Sequence, residues 1–191
     1  MVALGQRGWS GVRMSNMWVD PAEDPRTYGN PQGEKATYRE YLSNYRLTLD
    51  LKCGGLDAEE LARRSVPPST LSLLGLVRHL AQVEHHWFRR VLQQQDIPQL
   101  YKSPDDFDQD FNGAVADPAV VDDAFTTWKG EIAAADAWLD GLDEGELGRE
   151  VTLHDGTVSV RDVLVHVIEE YARHAGHADL LRESIDGRTG Q

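Results

Sequence analysis

The sequence is short of several things, and each shortage excludes something. It has one cysteine, Cys53, which rules out an intrachain disulfide framework and fits a reducing compartment. Positive charge is scarce: 19 Lys and Arg against 32 Asp and Glu leave a formal net charge of −13. Nucleic acid and anionic membrane surfaces both reward clustered Lys and Arg, so neither is expected as a partner. No run approaches the ~20 consecutive apolar residues of a membrane span. Residues 1–11 lack the apolar core of roughly 7–15 residues that marks a signal peptide. Internal repeats and low-complexity segments are missing too. The expectation is a soluble, cytoplasmic protein. Met14 and Met17 leave open where the native chain starts.

What is present is ordinary for a globular protein, at 40% hydrophobic and 27% charged residues. A chain of 191 residues can bury a sizeable core in one domain. Residues 1–34, with Asp20-Pro21, Asp24-Pro25 and Gly29-Asn30-Pro31, read as an irregular lead-in, with Met17 and Trp18 as points that could pin it to the domain. A helical pattern runs from Ala36 to Lys52 and stops at Gly54-Gly55. Asp57 caps a short helix to Arg64, and Pro67-Pro68 follows. Ser69 then caps a second long helix, about Thr70 to Gln93, with Leu73, Leu76, Leu80, Val83, Trp87 and Val91 as its apolar stripe. His79 sits at the edge of that stripe, and His86 lies seven residues on, almost above it. His85 points elsewhere, to solvent.

Residues 94–117 form a long acidic connection, expected to be solvated and pinned by Tyr101, Phe107 and Phe111. Its aspartates do not follow the calcium-loop pattern. Asp117-Pro118 opens a third helix that ends at Gly141, and Asp155-Gly156 centres a small β-hairpin. His154 beside that turn reads as structural or solvated. Ser159 caps a last helix from Val160 to Glu183. Cys53, at the end of the first helix, reads as a packed small residue rather than a nucleophile. Four long helices with one long crossover describe an all-α four-helix bundle with a small β-hairpin before the last helix.

The last helix carries the chemistry. Its apolar face is drawn by Val160, Val163, Leu164, Val167, Tyr171, Ala178 and Leu181. With Glu170 at zero and about 100° per residue, His174 falls at about +40°, among them, while Glu169 points to water. An inward carboxylate and imidazole one turn apart have two readings. One is a buried ion pair or hydrogen bond with a core Arg or His. The other is two metal ligands from one helix face, which needs a third ligand from another helix. His79 lies on a helix that could face this pair.

Two stretches carry a resemblance to a known family. They are Leu71-Ser-Leu-Leu-Gly-Leu-Val-Arg-His-Leu-Ala-Gln-Val-Glu-His-His-Trp-Phe-Arg-Arg90 and Glu169-Glu-Tyr-Ala-Arg-His-Ala-Gly-His-Ala-Asp-Leu-Leu-Arg-Glu183. With Lys52-Cys-Gly-Gly-Leu56 and Val66-Pro-Pro-Ser69, they resemble a mainly actinobacterial branch of the DinB superfamily, related to the mycothiol-dependent maleylpyruvate isomerases. The resemblance implies an up-down-down-up bundle over residues 35–187, between the lead-in and a tail at 188–191. It makes 94–117 the crossover. It also implies a divalent metal held by His79, Glu170 and His174, with His177 placed after the ligands to orient them.

Two imidazoles and one carboxylate leave a coordination position open, as in catalytic zinc sites. The expectation is a metal-dependent thiol S-transferase or isomerase, with mycothiol as the thiol and a small molecule as the second substrate. Zinc is the expected metal, and nickel, iron or manganese suit the same donors. His86, His166 and His177 are candidates for orienting ligands or moving protons, each with a structural role as the alternative. The rival functions are a metal-dependent hydrolase, which wants a second carboxylate base, and a non-catalytic metal-binding stress or structural protein. Glu84 is the one nearby carboxylate, and its helix angle turns it from His79. Oligomeric state is left open, with a homodimer as one option.

Overall fold

The computed structural model describes residues 19–20 and 22–190. Met14, Met17 and Trp18, and the readings attached to them, lie outside the described residues. Among the described residues, six α-helices and one hairpin make the fold. They are α1 (Glu34–Cys53), α2 (Ala58–Ala62), α3 (Leu73–Glu84), α4 (Gln109–Asn112), α5 (Pro118–Gly141) and α6 (Val160–Asp186), with β1 (Glu150–Leu153) and β2 (Gly156–Ser159) before α6. The strands pair antiparallel, Glu150 opposite Ser159 and Leu153 opposite Gly156.

Local chemistry explains the boundaries. Asp57 and Glu60 form a reciprocal capping box on α2. Asp117 accepts from the Ala119 N–H with Pro118 in the first turn of α5. Ser159 accepts from the Asp162 N–H at the start of α6.

The second long helix departs from expectation at both ends. Its cap is Ser72, not Ser69: the Ser72 hydroxyl accepts from the Gly75 N–H. After Glu84 the backbone continues as a π-helix over His85–Leu92. Wider i→i+5 turns rotate the following side chains away from their α-helical positions. His85, read as solvated, is buried where that run begins. Its Nε2 lies 2.9 Å from the Pro98 carbonyl and its Nδ1 3.2 Å from Glu131 on α5.

Pairs of contacts give the helix directions. Glu34 meets Arg161 at the starts of α1 and α6, and Lys52 meets Asp179 near their ends, so these two run parallel. His85 meets Glu131, and Phe88 meets Trp138, so the α3–π rod runs parallel to α5. Trp87 contacts His166 while His79 contacts His174, so that rod is antiparallel to α6. The result is the up-down-down-up bundle, with residues 94–117 crossing from one parallel helix to the next.

Leu42 and Leu49, Leu76 and Leu80, Trp128 and Leu139, and Val163 and Val167 fill the interior. Each such side chain contributes roughly 1.5–3 kcal/mol by leaving water. Between them runs one polar chain. Arg46 clamps Glu84 through Nε and Nη2, at 2.8 and 2.9 Å. The Tyr171 hydroxyl donates to Glu84 at 2.8 Å, and the Trp128 indole N–H donates to Tyr171 at 2.8 Å. Arg46 also reaches Asp136 at 2.8 Å. Glu84 is thus turned from His79, as its helix angle implies, and it ties all four long helices together. The lead-in is held at Arg26, which bonds Asp24 and Thr48, and at Thr27, whose N–H donates to Asn44.

Among the described residues, no helix is long and apolar enough to cross a membrane.

Candidate metal centre

His166, Glu170, His174 and His177 follow one another along a single face of α6 at helical spacing. His79, from α3, faces the middle of that column. The His79 Nε2 lies 3.7 Å from Glu170 Oε2, and the His174 Nε2 lies 3.5 Å from the same oxygen. One ligand atom from each of the three residues falls within 4.8 Å of the others. These separations are too long for hydrogen bonds. They suit atoms that share an ion: with bonds of ~2.0–2.2 Å around a tetrahedral centre, ligand atoms sit roughly 3.4 Å apart.

The charges point the same way. Among the described residues, the groups that face Glu170 as ion-pair partners are all imidazoles, His79, His166 and His174. His174 is buried, and that burial, with the charges of His79, His177 and Arg173, pushes its imidazole down to about 3. It is therefore neutral near pH 7 and keeps a lone pair for a cation. A carboxylate and two imidazoles are a donor set that fits a divalent ion, and a neutral His174 offers Glu170 no positive charge of its own.

Each of the three has a further neighbour. The His79 Nδ1 lies 2.8 Å from Asp110 Oδ2. The tautomer that donates to this carboxylate leaves the Nε2 lone pair free on the Glu170 side. The His174 Nδ1 lies 3.2 Å from the His177 Nδ1, and donation from His174 to His177 likewise frees the His174 Nε2. His166 Nε2 stands 3.6 Å from the other Glu170 oxygen, Oε1.

The three outlying histidines separate by position. His177 supports His174 from behind. His166 is 40% exposed and stands on the open side, edge-on to Trp87 at 4.8 Å. His86 packs edge-on to Trp87 at 5.0 Å. Burial, then the charges of Arg90 and Lys102, hold its imidazole below the usual range. His154 is exposed on the hairpin. Cys53 is buried, and burial pushes its thiol up to about 12, far from nucleophilic.

Asp110 is the residue that sequence reasoning missed. A second carboxylate does touch the triad, and it comes from the crossover rather than from α3. Asp105, Asp106, Asp108 and Asp110 are alike in sequence, and no spacing rule singles out the last. The crossover is also less evenly pinned than expected. Tyr101 and Phe111 pack inward, whereas Phe107 is 71% exposed.

A sequence model of the mycothiol-S-transferase family matches residues 37–187. The fold is similar to that in a crystal structure of a conserved protein from Enterococcus faecalis. That match has a TM-score of 0.58 at 16% identity and covers 82% of this chain and 99% of the other. A crystal structure of a mycothiol-dependent maleylpyruvate isomerase matches at a TM-score of 0.48 and 17% identity, over 73% of this chain and 59% of that one. No curated protein sequence matches significantly.

Proposed function

The chain belongs to the mycothiol-S-transferase family, a DinB-like family, and on that premise we propose a metal-dependent thiol transferase or isomerase. Its thiol is of the mycothiol type and its second substrate is a small electrophile. His79, Glu170 and His174 hold the metal, zinc being the first choice, with nickel, iron or manganese accepted by the same donors. The observation that carries the reading is the convergence of two imidazole Nε2 atoms on one carboxylate oxygen, each ring backed by its own partner. A divalent cation held by His79, Glu170 and His174 would keep net positive charge beside one carboxylate, and so would lower the pKa of a thiol brought to it.

The chain's own residues supply the rest. His166 stands at the open side with one ring nitrogen available, and it takes the proton released as a thiol enters. Its two ring nitrogens face carboxylates, Nδ1 at 3.9 Å from Glu169 and Nε2 at 3.6 Å from Glu170. Trp87 walls the same side and offers an apolar face to the electrophile. His177 keeps the His174 lone pair inward. The hydrolase reading is less well supported. The extra carboxylate that touches the triad, Asp110, is 2% exposed and engaged with His79, so it is not free to activate a water.

The test is thiol consumption by purified, metal-loaded protein given mycothiol and a panel of electrophiles. His166→Ala is expected to lower kcat by ~10²-fold or more with metal content unchanged. A protein that holds its metal and consumes no thiol with any electrophile belongs to the non-catalytic class instead.

A further inference from the structure

We infer that the crossover is a working part of the metal centre: Asp110 positions His79, and a bound divalent cation in return holds the crossover against the bundle. The inference rests on the metal reading above and extends it to a segment outside the helices that carry the ligands.

The attachment is built from several contacts. Asp110 is 2% exposed, and its two carboxylate oxygens have separate uses. Oδ2 faces His79 Nδ1 at 2.8 Å, and Oδ1 accepts from the Phe111 N–H at 3.0 Å. Phe111 stacks on the His79 ring, centroids 4.9 Å apart and planes 23° from parallel. The imidazole is therefore held at one edge by a hydrogen bond and on one face by a stack, and both come from the crossover.

Arg78, the neighbour of His79, fastens the backbone on either side. Its Nε donates to the Asp110 carbonyl at 2.9 Å and its Nη2 to the Gln109 carbonyl at 3.1 Å. The guanidinium lies over the Tyr101 ring at 3.9 Å, and the Tyr101 hydroxyl donates to Asp123 on α5 at 2.7 Å. Two glycines permit the close approach. A Cβ on Gly75 would stand 3.1 Å from the Phe111 ring, and one on Gly113 would stand 2.7 Å from Arg78 Nη2.

The coupling follows from the chemistry of imidazole. A cation on Nε2 draws electron density from the ring and makes Nδ1–H a stronger donor, so its bond to a carboxylate strengthens. Whatever Asp110 adds to metal binding, the metal adds equally to docking of the crossover. Asp110 is a positioning residue in this scheme, acting through His79.

Two readouts on the full chain test it: Zn²⁺ affinity by competition with a chromophoric chelator, and the rate of tryptic cleavage after Lys102, with and without Zn²⁺. Asp110→Asn keeps the shape and removes the charge; Asp110→Ala removes both. Zn²⁺ is expected to bind ~10–100-fold more weakly to Asp110→Ala, with Asp110→Asn between it and the native protein. Zn²⁺ is expected to slow the Lys102 cut in the native protein and to lose that effect in Asp110→Asn. Should Asp110→Ala fold poorly, Asp110→Asn and proteolysis of the native protein decide between the outcomes. A native protein that binds neither Zn²⁺ nor Ni²⁺, Fe²⁺ or Mn²⁺ overturns the metal reading itself. Native binding with unchanged affinity in Asp110→Asn and no protection at Lys102 overturns this inference alone.

Discussion

Five of the seven histidines gather at one site, and what separates their roles is which ring nitrogen is already engaged. His79 and His174 each have Nδ1 engaged from behind and Nε2 turned inward. His166 keeps its ring at the open side, and His86 stops one ring further out. The same logic of burial and partner separates the aspartates of the crossover, where only Asp110 is enclosed. Cys53 gives a direct check at this scale. With its thiol held at about 12 by burial, the thiolate is scarce at pH 8. Native protein treated with iodoacetamide at that pH is expected to show no alkylation within an hour by mass spectrometry, against full alkylation in denaturant. Rapid native labelling would contradict its placement.

Among the elements, the Arg46–Glu84–Tyr171–Trp128 chain joins α1, α3, α6 and α5 through buried groups. Removing Glu84 leaves the buried Arg46 with the partly exposed Asp136 as its remaining carboxylate and the Tyr171 hydroxyl without its acceptor. Such breakage of a buried pair costs about 3–5 kcal/mol, so Glu84→Ala is expected to lower the stability measured by chemical unfolding by that free energy. A loss under about 1 kcal/mol would mean that the chain adds little. The four long helices, the short helix capped by Asp57, the caps at Asp117 and Ser159 and the hairpin were legible in the sequence, because periodicity and capping chemistry are local signals. The π-helical run His85–Leu92 was not. Nothing in its composition marks a wider turn, and the stretch is fixed by long-range partners such as Pro98 and Glu131. The inward pair Glu170 and His174 could be read from one helix face. His79 entered as a third ligand only by resemblance, and Asp110 needed the docked crossover to be seen.

For the molecule as a whole, 32 acidic groups against 19 basic ones make acid response informative. Glu34 is held at about 2, against an ordinary 4.5, first by Arg161 and then by Tyr38, where the starts of α1 and α6 meet. A carboxyl whose folded pKa is depressed contributes stability above its unfolded pKa, and that contribution disappears as pH falls through the folded value. The window is therefore pH 4.5 down to about 2. Being exposed and screened, the contribution is small. Glu34→Gln is expected to flatten the fall in unfolding midpoint across that window and to leave behaviour above pH 6 unchanged in slope. An unaltered acid profile would contradict the pairing.

The central claim is that side chains from α3 and α6 share one cation. Its most direct measurement is stoichiometric Co²⁺ or Zn²⁺ titration of the native protein, purified without a metal-affinity column, beside His79→Ala, Glu170→Ala and His174→Ala. One ion per native chain is predicted, with binding lost or weakened by orders of magnitude in each of the three variants. A native protein that takes up no ion under any loading condition, or variants that bind one ion as tightly as the native chain, would contradict it.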